Sequence, residues 1–336
     1  MELRDLVLIE DEATYDVESL WRPRPIDDFL RVPFGVNSIG DLVSLDLKDS
    51  ALGGMGPHGL CIGATGSGRS ELLRTLTLVL AMTHPPERLN LILIDERSQF
   101  HFEKLKELPH VSAYAFDFFF ESSSVVDRLR DIIHREITHR QKILQEAGQV
   151  PNITEYNRLR DAGAPLPPLP NLLILINHFA SILENVPDFL DLLLTICRSS
   201  RQLGLHLLLS DSHYFDFATS DYTMHRLERF LSYRIVLRTF TPAESELLLG
   251  VPDAHNLYNS PGKGYLKFGT TVFRRFEEIV YVSSPYRPAT GTRSLHDSDE
   301  ESWLLSPSIM EVVLGRLIKA GTTHLASYAI KEDLAG

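Results

Sequence analysis

Apolar and polar positions divide the chain into short runs that alternate between two periods. Leu60-Cys61-Ile62, Leu89 to Ile94, Leu172 to Ile176 and Leu205 to Leu209 are nearly continuous apolar runs, as in strands buried on both faces. Leu72, Leu73, Leu76, Leu80 and Met82 form a broad helical stripe that ends at Pro85-Pro86. Glu121 to Ala147, Asn152 to Asp161 and Pro187 to Leu203 predict further helices, and Gly163 to Pro170 a stiff connector. Strands alternating with helices predict an α/β fold, a mostly parallel sheet with helices on both faces, whose ligands gather at the carboxyl ends of strands. Additions are predicted at the margins. Val32 to Leu47 alternates about Asn37-Ser38-Ile39-Gly40 as a β-hairpin; Tyr233 to Leu237, Pro242 to Leu249 and Gly262 to Gly269 read as a strand, a helix and a hairpin edge.

Between the first apolar run and its helix lies Gly63-Ala64-Thr65-Gly66-Ser67-Gly68-Arg69-Ser70-Glu71. This is the phosphate-loop pattern with one substitution, because Arg69 stands where the lysine belongs. Glycines let backbone N–H groups turn inward, and the helix that starts near Arg69 adds its positive end, so the loop suits an anion. Arginine presents a wide planar fork, lysine a compact ammonium, and the two cannot occupy one place. Gly63 to Glu71 are therefore the candidate nucleotide-binding residues, with ATP held weakly.

Composition narrows the functions. The chain has 336 residues and 43% hydrophobic content, enough for one large domain with appendages. A formal net charge of −12 disfavours non-specific attraction to nucleic acid. Cys61 and Cys197 read as small buried residues rather than a disulfide or metal pair, which fits a reducing compartment. The histidines lack metal-ligand spacing, so no metal site is expected. No apolar segment is long enough to span a bilayer, and no signal peptide opens the chain. Arg128, Arg130, Arg135, Arg140 and Lys142 are predicted to lie on a solvated helix face. Residues 1–31 read as an N-terminal arm lying on the domain, 32–283 as the domain and 284–336 as a linker and C-terminal segment. Within that segment Ile309 to Leu317 has an amphipathic pattern suited to docking on a neighbour.

The chain resembles the FtsK/SpoIIIE branch of P-loop ATPases and, within it, the first ATPase module of EccC-type type VII secretion motors. The resemblance rests on Gly53-Gly54-Met55-Gly56-Pro57-His58-Gly59-Leu60, the loop itself, Ser70 to Leu76, Leu108-Pro109-His110-Val111-Ser112, Ala162 to Pro170, Leu249 to Ala254 and Gly264 to Gly269. It covers about residues 20–283. It implies a RecA-like P-loop fold, ATP with magnesium, and a cytoplasmic place in a membrane-associated secretion complex. Implied partners are further ATPase modules of the same polypeptide or ring, secretion-channel membrane proteins and small secreted WXG100-like proteins, with no nucleic acid.

Departures from the family's pattern shift the expected function. Its phosphate-binding lysine is Arg69, and its Walker B Asp-Glu pair is Asn177-His178. A neutral amide anchors magnesium poorly, so firm magnesium binding is not expected, and a histidine is a poor copy of the water-orienting glutamate. Its Ser/Thr-Gln sensor is Asp211-Ser212, and its Asp-x-Lys-Gly-Gly string is Asp95-Glu96-Arg97-Ser98-Gln99. Asn177, His178 and Ser212 are thus degenerate catalytic positions. Asp95-Glu96 satisfies the bare Walker B pattern, but in this branch it is expected to end a strand farther from the loop. Arg198 and Arg201 resemble inter-module or subunit contacts in ring ATPases and equally suit a helix C-terminus. The leading expectation is a module with weak or absent ATP hydrolysis and a structural or regulatory role in protein export. The alternatives are an active ATPase driving substrate proteins and a DNA translocase.

Overall fold

The computed structural model describes residues 1–96, 102–116, 118–214, 223–257, 260–269, 272–289, 306–324 and 332–334. Two short helices, α1 (Leu3–Val7) and α2 (Val17–Leu20), precede the hairpin β1 (Arg31–Val36) and β2 (Leu42–Asp46). Then come β3 (His58–Ile62), α3 (Arg69–Thr83), β4 (Leu89–Asp95), β5 (Val111–Phe116), α4 (Ser122–Glu146), α5 (Ile153–Asp161) and β6 (Asn171–Asn177). After these follow α6 (Phe179–Asn185), α7 (Phe189–Leu203), β7 (Leu205–Asp211), α8 (Thr223–Glu228), β8 (Tyr233–Leu237) and α9 (Pro242–Leu249). β9 (Gly264–Phe268), β10 (Val272–Phe276), β11 (Glu278–Ile279), α10 (Ile309–His324) and β12 (Glu332–Asp333) complete the order.

Among the described residues, nine strands form one sheet in the order β10-β9-β8-β3-β7-β6-β4-β5-β12, and β11-β1-β2 form a second. The sheet is parallel from β8 through β12, while β9 and β10 run antiparallel at its edge. Alternation survives inside the apolar runs. Leu89, Leu91 and Leu93 enter one core, and Ile92 and Ile94 enter the other. The first core holds α3, the small sheet, α1, α2 and α10; the second holds α4, α5, α6, α7 and α9. Two covered faces explain why these strands read as unbroken apolar runs.

Three details differ from the sequence-based expectation. Helix α6 is not legible in the sequence, because seven residues span only two turns and carry too little period to separate from a loop. Arg140 is not on a solvated face: it is 1% exposed, donates through Nε to Glu136 at 2.7 Å and through Nη1 to the Leu203 carbonyl at 2.7 Å. It thereby satisfies an orphan carbonyl near the end of α7. Helix α10 docks on this chain's own body, with Val313 and Leu317 fully buried in the α3 core. The arm packs there too, and Trp21 Nε1 donates to the Ala81 carbonyl at 2.9 Å. Residues 290–300 of the anticipated linker lie outside the described residues.

Two predictions follow from the packing. Leu317→Ala removes a fully buried side chain from the face joining α10 to α3 and should cost about 2–5 kcal/mol, read as a lowered urea midpoint of the whole chain. Burial holds His58 and His84 neutral, down to about 3, His84 helped by the charge of Arg24; it holds His206 down to about 4, helped by Arg140. Their folded values lie below the ordinary 6.5, so the unfolded chain binds protons first. That stability is fully present above pH ~6.5 and is lost as pH falls toward 3–4, by roughly 1.4 kcal/mol per unit for each group. Urea melts between pH 7.5 and 5 should show the fall, with a shallower slope in His84→Gln.

Candidate functional site

Strands β4, β6 and β7 are each seven residues long and pair in parallel, so their last residues meet at one edge of the sheet. Asp95 lies opposite Asn177, and Asn177 opposite Ser210, next to Asp211. The glycine loop joins that edge, because β3 pairs with β7 and Ile62 lies opposite Asp211. The Gly63 N–H donates to the Asp211 carbonyl at 3.2 Å and the Ala64 N–H to the Arg238 carbonyl at 2.7 Å. Gly66 and Gly68 adopt φ of 77° and 95°, which a side chain resists. At Gly68 space is also short: a Cβ would lie 2.7 Å from the Gly262 nitrogen. Helix α3 makes its first internal bond from the Leu72 N–H to the Gly68 carbonyl, leaving the N–H groups of Arg69, Ser70 and Glu71 at its open end.

The side chains of the anticipated site separate into two groups. Arg69, Asn177 and His178 come together beneath the loop. His178 takes a left-handed conformation, φ 58° and ψ 38°, a cost of about 1–3 kcal/mol for a residue with a side chain. That bend turns its ring back over the sheet edge, where Nδ1 lies 3.0 Å from Asp95 Oδ1 and Nε2 lies 3.4 Å from Arg69 Nη2. A carboxylate on one side and a guanidinium on the other place the ring proton on Nδ1 and leave Nε2 as acceptor. Asn177 Nδ2 donates to the same Asp95 oxygen at 3.1 Å. Burial pulls the Arg69 pKa down, opposed by the charges of Asp211 and Asp95. Burial pushes the Cys61 thiol up to about 12, so it stays protonated.

The second group points elsewhere. The Glu71 side chain pairs with Arg74 and accepts the Ser283 N–H at 3.2 Å, so only its backbone faces the loop. Ser212 turns onto Asp211, its N–H at 2.7 Å and Oγ at 3.4 Å from Oδ1. Arg198 and Arg201 lie near the far end of α7, at the opposite edge of the sheet, and Arg201 Nε meets Asp49 at 2.6 Å. They do not join this chain's own loop. Among the described residues no cluster of metal-ligating side chains occurs.

Two site members were missed in the sequence as partners. Asp95 ends β4, separated from β3 by β7 and β6 as expected, yet its carboxylate holds both Asn177 and His178. Asp211 accepts the Ala180 N–H at 3.1 Å as well as that of Ser212. The signal was present: three apolar runs of similar length, followed by Asp95, by Asn177 and by Ser210-Asp211. Residues Arg97, Ser98 and Gln99 lie outside the described residues.

A parallel sheet of this order with a glycine nest feeding a helix N-terminus defines a RecA-like P-loop module. Residues 25–213 match the FtsK/SpoIIIE family model, and the chain belongs to that family. It is 47% identical over 294 residues to the ESX secretion system protein EccC of Thermomonospora curvata, covering 88% of this chain and 22% of that protein. Identity to the ESX-4 secretion system protein EccC4 of Mycobacterium tuberculosis is 40% over 323 residues, covering 96% and 24%. The solved cytoplasmic domain of the T. curvata type VII secretion ATPase EccC superposes with a TM-score of 0.83 at 45% identity, covering 94% of this chain and 34% of that one. T. curvata EccC ATPases 2 and 3, solved with a signal sequence peptide, share the fold at TM-score 0.63 and 21% identity, covering 90% of this chain and 48% of that one. The chain thus spans about a quarter of the curated relatives named here.

Gly68→Ala places a Cβ at a left-handed position against the Gly262 backbone and should cost about 2 kcal/mol. Urea denaturation checks the loss, and proteolysis near residue 262 should quicken as that segment is pushed off the loop.

Proposed function

We propose that this chain is a module of a type VII secretion motor whose loop still cups the phosphates of a nucleotide but hydrolyses it weakly or not at all, and whose role is structural or regulatory. One observation carries the reading. The arginine in the lysine position bonds to the histidine in the glutamate position, and that histidine leans on Asp95. Phosphoryl transfer draws together a phosphate-bound cation, a metal anchor and a water-orienting group. Here the first contacts the third, and the second is a neutral amide. The open N–H groups at the start of α3 remain for an anion.

By likeness to EccC, the setting is the cytoplasmic side of a membrane-associated secretion complex. Partners would be further ATPase modules and exported proteins that carry signal sequences. Catalysis would sit in other modules of the motor. A net charge of −12 speaks against a nucleic-acid track. The active-ATPase alternative rests on the Asp95–His178 hydrogen bond, the arrangement that orients a general base, although Arg69 covers the nitrogen that would act.

ATP turnover by the purified chain tests the proposal. Less than about one turnover per minute is expected, unchanged within error in Asp95→Ala. Several turnovers per minute that require magnesium and vanish in both Arg69→Ala and Asp95→Ala would establish the active alternative instead.

A further inference from the structure

Magnesium bridges phosphates in P-loop ATPases and needs hard anionic oxygens with free lone pairs. The residues beneath this loop do not fit it. Asn177 is neutral, and its Nδ2 donates to Asp95 Oδ1. That same oxygen also faces His178 Nδ1, and both Asp211 oxygens accept backbone N–H groups; the carboxylate oxygen left without a partner, Asp95 Oδ2, is buried at the end of β4, with β7 and β6 between it and the strand that carries the loop. Into this edge projects a guanidinium. Its Nε and Nη1 are buried and, among the described residues, have no hydrogen-bond partner, while Asp95 and Asp211 supply its counter-charge. A divalent ion placed here would meet a fixed cation on one side and the edge of an imidazole on the other.

We infer that Arg69 is the site's built-in cation, so the ligand this loop takes is a metal-free polyphosphate, such as a nucleotide without magnesium. The inference deepens the reading given under Proposed function and rests on the nest described there. Two features support it. The guanidinium carries its charge whatever the solution holds, since arginine does not deprotonate in proteins. Two of its nitrogens still lack acceptors, and phosphate oxygens are strong ones. Asp95 is then a positioning residue: through Nδ1 it holds His178 with Nε2 against Arg69 and so steadies the guanidinium under the loop.

Calorimetric titration of the whole chain with ATP, in EDTA and in excess magnesium, tests the inference. Wild-type affinity should agree within about twofold between the two conditions. In Arg69→Lys a compact ammonium replaces the fork, and affinity in magnesium should exceed that in EDTA by at least about tenfold. Manganese EPR with ATP should likewise show bound metal in the variant only. Wild-type binding that is undetectable in both conditions overturns the inference, even where the variant gains Mg–ATP binding. A wild-type chain that binds ATP tenfold more tightly in magnesium, or a pair of chains that both fail to bind, overturns the inference. Magnesium-dependent binding without turnover would defeat this inference alone; rapid turnover would defeat the proposed function.

Discussion

The parallel register of β4, β6 and β7 is the constraint on which the site depends. Seven-residue strands that pair side by side must end side by side, so Asp95, Asn177 and Asp211 reach the same edge whatever their charges. A slip of one residue would exchange a strand's side chains between two close-packed cores shaped for different residues and displace its polar end, and packing resists both. Burial of Leu and Ile thus dictates where the polar ends fall, and the chemistry of those ends is written on a frame that does not yield to it.

Within that frame the charges arrange themselves. Two carboxylates at one buried edge would repel, and each finds its own answer. Asp211 takes the N–H groups at the start of α6 and of Ser212, while Asp95 takes the side chains of Asn177 and His178. Arg69 lies close enough for both acids to act on it. Removing one member of such a buried set typically costs more than the set contributes as a whole. Substitutions at positions 69, 177 and 178 are therefore coupled, since each of the three side chains touches another of the set or shares Asp95 with it.

Much of the fold was legible in the sequence because the same physics writes both. Continuous apolar runs gave buried strands, Pro85-Pro86 ended α3, and the glycine pattern located the loop. Arg140 was misplaced because periodicity counts an arginine as polar and cannot see a carbonyl from another helix waiting for it. The contacts of the site were harder to read than its positions. Nothing local to Asp95 says that a residue 83 positions away will bend left-handed to meet it. Strand lengths hinted at the meeting, but only the register decides it.

Helix α3 is buried at every residue from Glu71 to Thr83, held between the large sheet and the elements packed on its outer side. A rod gripped along that much of its length cannot slide or rotate by itself. Gly68 and the turn that precedes it are therefore seated by the same core that holds α10 and the N-terminal arm. The loop is thus mounted on the end of a stiff rod, and its place is set by packing along the whole length of that rod.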